Sequence, residues 1–263
     1  MKEFSSRKTR RAASPHGRGV LASDCDWLLA IWQTLYRSDD RGRITHSEAV
    51  QWGRVPIFQL GRTRHGNLWR VADGLPATVA IRSARLAARE AVLGKEGPPW
   101  PPCERLGAIR AALGPGSRTQ EDFQVIGFRL PAVENHDFEG QLTRPLGSTL
   151  RDPFNENPGG IRSKSEAEGA QTLKREVSME GDEIASFCDP VVGAPFSFTI
   201  AYVETQLKWR RRGHAARVLK GWLQGVRHAG GTPIFFADAT RPEARALATS
   251  VGLEAFVALT FWF

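Results

Sequence analysis

The chain is 263 residues long and 41% hydrophobic, enough to bury a real core as one large domain or two small ones. Its apolar runs stay well short of the ~20 residues that span a bilayer, which excludes a membrane helix. A formal net charge of +8 favours acidic partners such as nucleic acid, anionic lipid or a pyrophosphate, although an arginine-rich composition alone gives the same balance. Cys25, Cys103 and Cys188 are scattered and odd in number, without CxxC spacing or a secretory segment, and read as structural thiols of a cytoplasmic protein. The histidines show no ligand spacing, so no metal site is expected.

Residues 1–19 form a basic arm, with Lys2, Arg7, Lys8, Arg10, Arg11 and Arg18 against Glu3. With almost nothing to bury, the arm is expected to be disordered, either as a solvated tail or as a nucleic-acid contact. Ser23 then caps a helix over 24–36 whose apolar stripe is Trp27, Leu28, Ile31, Trp32 and Leu35. A charged turn follows at 37–43, and Thr45 with Glu48 reads as a capping box opening a short helix through Trp52. Strands are expected at 55–60 and 68–71 around a turn at 61–67.

The alanine-rich run 77–93 predicts a helix with Val79, Leu86 and Val92 on one side and Arg82, Arg85 and Arg89 on another. That arginine face is either solvated or laid along a phosphate backbone. The prolines of 97–102 make a rigid connector. A further helix at 103–113 and a strand at 123–130 come next. From 135 to 182 the composition shifts to proline, glycine, asparagine and alternating charge, which predicts an insertion with 155–181 as its most flexible part. Residues 183–188 and 196–205 read as a hairpin across 189–195.

The strand run 196–205 empties into Trp209-Arg210-Arg211-Arg212-Gly213-His214-Ala215. A helix follows, with Val218, Leu219, Trp222, Leu223 and Val226 on one face and Gly230-Gly231 at its end. A strand that leads through a basic, glycine-containing turn into a helix N-terminus is built to hold phosphate. The first amides of the helix have no intrahelical partner, and the helix dipole adds positive charge. Beyond it lie a buried strand at 233–237, a helix capped by Thr240 with Pro242 and Glu243 in its first turn, and a last strand at 256–263.

Arg210-x-x-Gly213-x-Ala215 resembles the Gln/Arg-x-x-Gly-x-Gly/Ala signature of the GNAT superfamily of N-acetyltransferases, where this loop grips the pyrophosphate of acetyl-CoA. The likeness extends on both sides. Residues 200–205 stand where that family has its fourth strand, and Trp209 stands for the aromatic before the loop. Ala244-x-x-Leu247-x-x-x-x-Gly252-Leu253 resembles the later Ala-x-x-Leu-Tyr-x-x-x-Gly-Phe motif with one residue of drift. The resemblance covers roughly the last quarter of the chain. Arg241 and Ala248 replace an Asn and a Tyr that the family often carries, the Tyr being the group that protonates the departing thiolate in many members.

The resemblance implies an α/β (α+β) fold, a GNAT-like mixed twisted sheet flanked by helices over 62–263. The first three strands would be 68–71, 123–130 and 183–188, with a helical extension at 20–61 and a flexible insertion at about 135–182. It implies acetyl-CoA as co-substrate, held by the main chain of Val203 and Thr205, by Arg210 and Arg211, and by the amides of Arg212, Gly213, His214 and Ala215, with the His214 side chain near a phosphate. Glu204 is the candidate base and Asp238 a second, each reading equally as a solvated carboxylate or an arginine partner. Tyr202 shares a strand face with Glu204 and is the candidate proton donor. The acceptor would be an amine of a protein, a tRNA or a small molecule. The alternative is a GNAT-like basic module without catalysis that binds nucleic acid through its arm and arginine faces. A V-shaped opening between the strands ending at Thr205 and Ala237 favours the enzyme; a filled gap with a continuous basic face favours the module.

Overall fold

A computed structural model describes residues 23–47, 55–94, 100, 102–114, 123–131, 144–145, 175–192 and 198–263. The basic arm, the short helix expected at 48–52, most of the proline connector and most of 135–182 lie outside them.

α1 (Asp24–Leu35) starts at a reciprocal cap: the Ser23 hydroxyl accepts from the Asp26 N–H, and the Asp26 carboxylate accepts from the Ser23 N–H at 3.0 Å. Its stripe of Leu28, Ile31, Trp32 and Leu35 is fully buried, with Trp27 packed beside it. The chain then forms β1 (Tyr36–Ser38) and β2 (Ile44–Ser47), an antiparallel hairpin. Thr45 therefore caps no helix. Its hydroxyl donates to the Arg37 carbonyl at 3.2 Å, and strand pairing overrides the local capping signature.

β3 (Phe58–Thr63) and β4 (Gly66–Val71) form the expected hairpin with a tighter turn, Arg64-His65. Gly61 belongs to β3 instead of the turn, because a Cβ there would collide with Leu28 of α1. α2 (Ala77–Ala87) ends before the expected residue 93. The chain leaves it to donate the Leu93 N–H to the Thr63 carbonyl at 3.0 Å, and Val92 is exposed instead of facing the core. Arg82, Arg85 and Arg89 are exposed. α3 (Leu106–Leu113) follows.

The rest comprises β5 (Phe123–Arg129), β6 (Arg144–Pro145), β7 (Glu176–Glu180), β8 (Glu183–Val192), β9 (Phe198–Thr205), α4 (His214–His228), β10 (Thr232–Asp238), α5 (Pro242–Ser250) and β11 (Glu254–Trp262). β7 corrects the expectation of a flexible stretch through 181. It pairs with β8 across the two-residue turn Gly181-Asp182, where Gly181 takes φ +59°. α5 is preceded by Arg241 as N-cap, and the Thr240 hydroxyl donates to Asp238 at 2.6 Å instead of capping.

Among the described residues nine strands form one mixed sheet in the order β4-β3-β11-β5-β10-β9-β8-β7-β6, and its parallel pair there is β9–β10. Of the three strands expected to lead up to β9, only β8 adjoins it; β4 and β5 lie on the far side of β10. A boundary at 61/62 would cut through β3, an interior strand. α1 packs on one face against Val125, Ile200, Ile234 and Leu259. α4 and α5 cover the other face against Ile126, Phe128, Ala201, Phe235 and Ala237, and α2 and α3 cover Phe58, Leu60 and Trp262 of that same face. The α4 stripe Val218, Leu219, Trp222, Leu223 and Val226 is buried, each side chain contributing about 1.5–3 kcal/mol, which holds the turn before α4 against the sheet.

Candidate functional site

The turn between β9 and α4 is shaped by its own side chains. The Gln206 N–H donates to the Ala185 carbonyl at 3.0 Å, anchoring the exit of β9, and a short 3-10 turn, Leu207–Trp209, follows. The Arg212 guanidinium lies over the Trp209 ring at 4.8 Å and the Lys208 ammonium at 5.4 Å. Lys208 also pairs with Glu183. Arg211 has φ +63°, a conformation that a side-chain-bearing residue adopts at a cost, and Gly213, the N-cap of α4, has φ +83°. Among the described residues no side chain caps α4, and a Cβ built on Gly213 would meet no atom of theirs within 4 Å. Among the described residues, the amides of Arg211, Arg212, Gly213, His214 and Ala215 donate to no backbone carbonyl or side chain. Arg211 and Arg212 have no carboxylate partner among them. The turn thus gathers unspent donors, the positive end of a helix and arginines without a carboxylate partner among the described residues in one place.

Beside the turn, the sheet opens. β9 and β10 pair in parallel from Phe198↔Thr232 to Ala201↔Phe235 and no further, although β9 runs on to Thr205 and β10 to Asp238. Because Gln206 bonds Ala185 in the ladder with β8, the alternation of an antiparallel pair turns the N–H and C=O of Thr205 and Val203 away from β8, toward β10. On the other strand the Ala239 N–H donates to the Gln124 carbonyl at 2.9 Å, which by the same alternation turns the main chain of Asp238 toward β9. The two strands diverge with main-chain polar groups facing the gap. Arg210 Nε reaches the Thr205 carbonyl at 3.4 Å.

Tyr202, Glu204 and Asp238 all fall on the α1 face, the side opposite α4. The Tyr202 hydroxyl donates to Glu204 Oε2 at 2.8 Å. Partial burial, then that bond and the charge of Glu204, push the Tyr202 hydroxyl up to about 12, with Arg241 pulling the other way. It therefore stays protonated at neutral pH and remains a donor. Asp238 is engaged locally: Oδ1 accepts from the Thr240 N–H at 2.8 Å and hydroxyl at 2.6 Å, and Oδ2 lies 3.6 Å from Arg241 Nε. Among the described residues the Glu204 carboxylate accepts from Tyr202 and from no backbone N–H. Ala248 is fully buried in the core shared with α4. Burial and the nearby Glu90 push the Cys103 thiol up to about 12, and burial also raises Cys188, so neither is a thiolate nucleophile.

The His214 side chain does not point at a phosphate. It is 3% exposed, with Nδ1 2.9 Å from Ser178 Oγ and Nε2 3.4 Å from Glu180 on β7; only its backbone N–H is left for a ligand. Sequence reasoning missed Ser178 and Glu180, since both lie in the stretch read as flexible. The Gly181-Asp182 turn between two alternating runs was the available signal.

No family model and no curated protein matches the sequence. Among solved structures, a protein described as an acetyltransferase of the GNAT family from Novosphingobium aromaticivorans aligns with a TM-score of 0.40 at 20% identity, over 53% of this chain and 64% of its own. This chain thus spans less than two thirds of that one. A GNAT-family acetyltransferase from Colwellia psychrerythraea aligns with a TM-score of 0.43 at 9% identity, over 74% and 76% of the two chains. Overlaps of this size leave function to be decided by the geometry of the turn and the opening.

Proposed function

We propose that the chain is an acetyl-CoA-dependent N-acetyltransferase acting on an amine. The observation that carries this reading is the parting of β9 and β10 after Ala201 and Phe235, with the uncapped, arginine-ringed start of α4 at the end of the same strand. The pyrophosphate would be held by the amides of residues 212–215 and by Arg210 and Arg211. The pantetheine amides would pair with the exposed main chain of Val203 and Thr205, adding a strand-like partner where the sheet leaves a gap.

Held there, the thioester is attacked directly by a neutral amine, with the rate supplied by positioning and by proton transfer. Glu204 takes the proton from the amine as the new C–N bond forms. The thioester C–S bond breaks, and the departing thiolate takes the Tyr202 proton. The proton on Glu204 then returns to the tyrosine oxygen along the bond already present between them, restoring both groups. Asp238, held by Thr240, shapes the turn into α5 in this account and is not the base. The acceptor class follows from an assay and not from the fold: protein, tRNA and small-molecule amines are to be compared by release of CoA thiol.

The test is Glu204→Gln, an isostere that cannot take a proton. It should lower kcat by about 10²–10⁴-fold with acetyl-CoA affinity little changed. An unchanged kcat would remove Glu204 from the chemistry.

A further inference from the structure

Ser178, His214, Glu180 and Arg217 form a polar cluster under the first turn of α4. Arg217 Nη1, which can only donate, lies 2.8 Å from Ser178 Oγ, so Ser178 accepts from it. Glu180 faces His214 Nε2 at 3.4 Å, so Nε2 carries the ring proton; Nδ1 is then an acceptor, and Ser178 donates to it at 2.9 Å. The order of donation is Arg217 to Ser178 to His214, with the Glu180 carboxylate in ion-pair range of the far ring nitrogen. Ser178 is 3% exposed and is joined on both sides. The two α4 residues it holds are three apart, on one side of the helix whose first amides are left free by the absence of a cap.

We propose that Ser178 is a positioning residue of the cofactor site: through His214 and Arg217 it clasps the first turn of α4 to β7 and so sets the aim of the free amides. This rests on the acetyl-CoA reading above. It accounts for the buried Ser178–His214 pair, flanked by the exposed Arg217 and Glu180, beneath a helix end whose first amides are bare, and it makes β7 part of the site.

The groups facing His214 are Ser178 and Glu180 from β7, and Arg212, Arg217 and the Trp209 ring from the turn and α4. Burial first, then Arg217, hold its pKa below the usual histidine value, with Glu180 opposing. The neutral ring that accepts from Ser178 is the form present at pH 7 and above. As pH falls below that of an ordinary histidine, the ring gains a proton on Nδ1, Ser178 must then accept from two cations, Arg217 and His214, held side by side, and their repulsion loosens the clasp. A histidine that touched phosphate directly would do the opposite and bind the anion more tightly when protonated.

The experiment is calorimetric titration with acetyl-CoA, from pH 8 down to pH 5, of the wild type, Ser178→Ala and Ser178→Thr. The expected result is wild-type affinity that weakens on acidification. Ser178→Ala should bind about tenfold more weakly at pH 8 and lose the pH dependence, while Ser178→Thr, which keeps the hydroxyl, recovers most of the affinity. Should the alanine variant fail to fold, His214→Asn takes its place, with the same weakening and a flat pH profile expected. Wild-type affinity that rises on acidification, or variants that match the wild type in affinity and pH profile, would overturn the clasp. No binding by folded wild type would overturn the acetyl-CoA reading and the clasp with it.

Discussion

Three helix N-termini of this chain meet the same physical demand in different ways. At α1 the Ser23–Asp26 box satisfies the first amides, and the buried Asp24 takes Arg129 at 2.7 Å and Arg64 at 3.1 Å. At α3 the buried Glu90 accepts the N–H groups of Glu104 at 2.8 Å and Arg105 at 3.0 Å. In both places the protein supplies its own anion. At α4 it supplies arginines instead, and leaves the amides bare. α2 and α5 also lack side-chain caps, but neither follows a turn with positive φ at two positions beside an opening in the sheet. The contrast sets the start of α4 apart as the helix end with bare amides and arginines around it, and on the proposed reading an anion from outside completes it.

The comparison can be broken first at α3. Glu90→Ala removes a buried carboxylate 3.6 Å from the Arg62 guanidinium and strips two amides of their acceptor. It should cost on the order of 3 kcal/mol of stability by denaturant unfolding. Acetyl-CoA affinity of the folded fraction should stay unchanged, because this helix end serves the fold. An equal loss of affinity would mean that the two ends are not separable.

A smaller effect sharpens the contrast at α4 itself. Arg211 sits at φ +63°, where glycine is at ease, so Arg211→Gly should raise stability by about 0.5–1 kcal/mol while weakening acetyl-CoA binding severalfold. Stability gained at the expense of binding is the signature of a residue kept for its ligand. A variant that loses stability would show that Arg211 holds the turn together instead.

The start of α4 was legible in the sequence because its signals are local. Gly213 at a left-handed position, the arginines before it and the 3.6-residue stripe after it all lie within a few turns of one another. What the sequence hid depends on distant partners. His214 reads as a surface histidine until Ser178, 36 residues earlier, is brought against it by the β7–β8 hairpin. Gly61 reads as a turn residue because glycine is more often that than a seat for a helix; Leu28 supplies the reason from the other side of the chain's first hairpin. Thr45 carries a capping signature that strand pairing overrides. The place of β5 between β10 and β11 has no local signature at all, since strand neighbours are chosen by the whole sheet. The base candidates divided the same way. Glu204 and Tyr202, two apart on one strand, were bound to share a face, whereas the engagement of Asp238 by Thr240 needed the turn to be seen.

The most direct measurement is calorimetric titration of acetyl-CoA into the wild type and into Gly213→Glu. The variant's Cβ meets no atom within 4 Å, and its side chain brings a carboxylate to the start of α4, giving this helix the internal anion that α1 and α3 already have. The account predicts micromolar binding by the wild type. In the variant it predicts at least a ~100-fold loss, about 2.7 kcal/mol, and a folded protein destabilised by about 1–2 kcal/mol, since φ +83° suits only glycine. A folded wild type that takes up no acetyl-CoA, or a variant that binds it equally well, would contradict the claim that this helix end is the cofactor site.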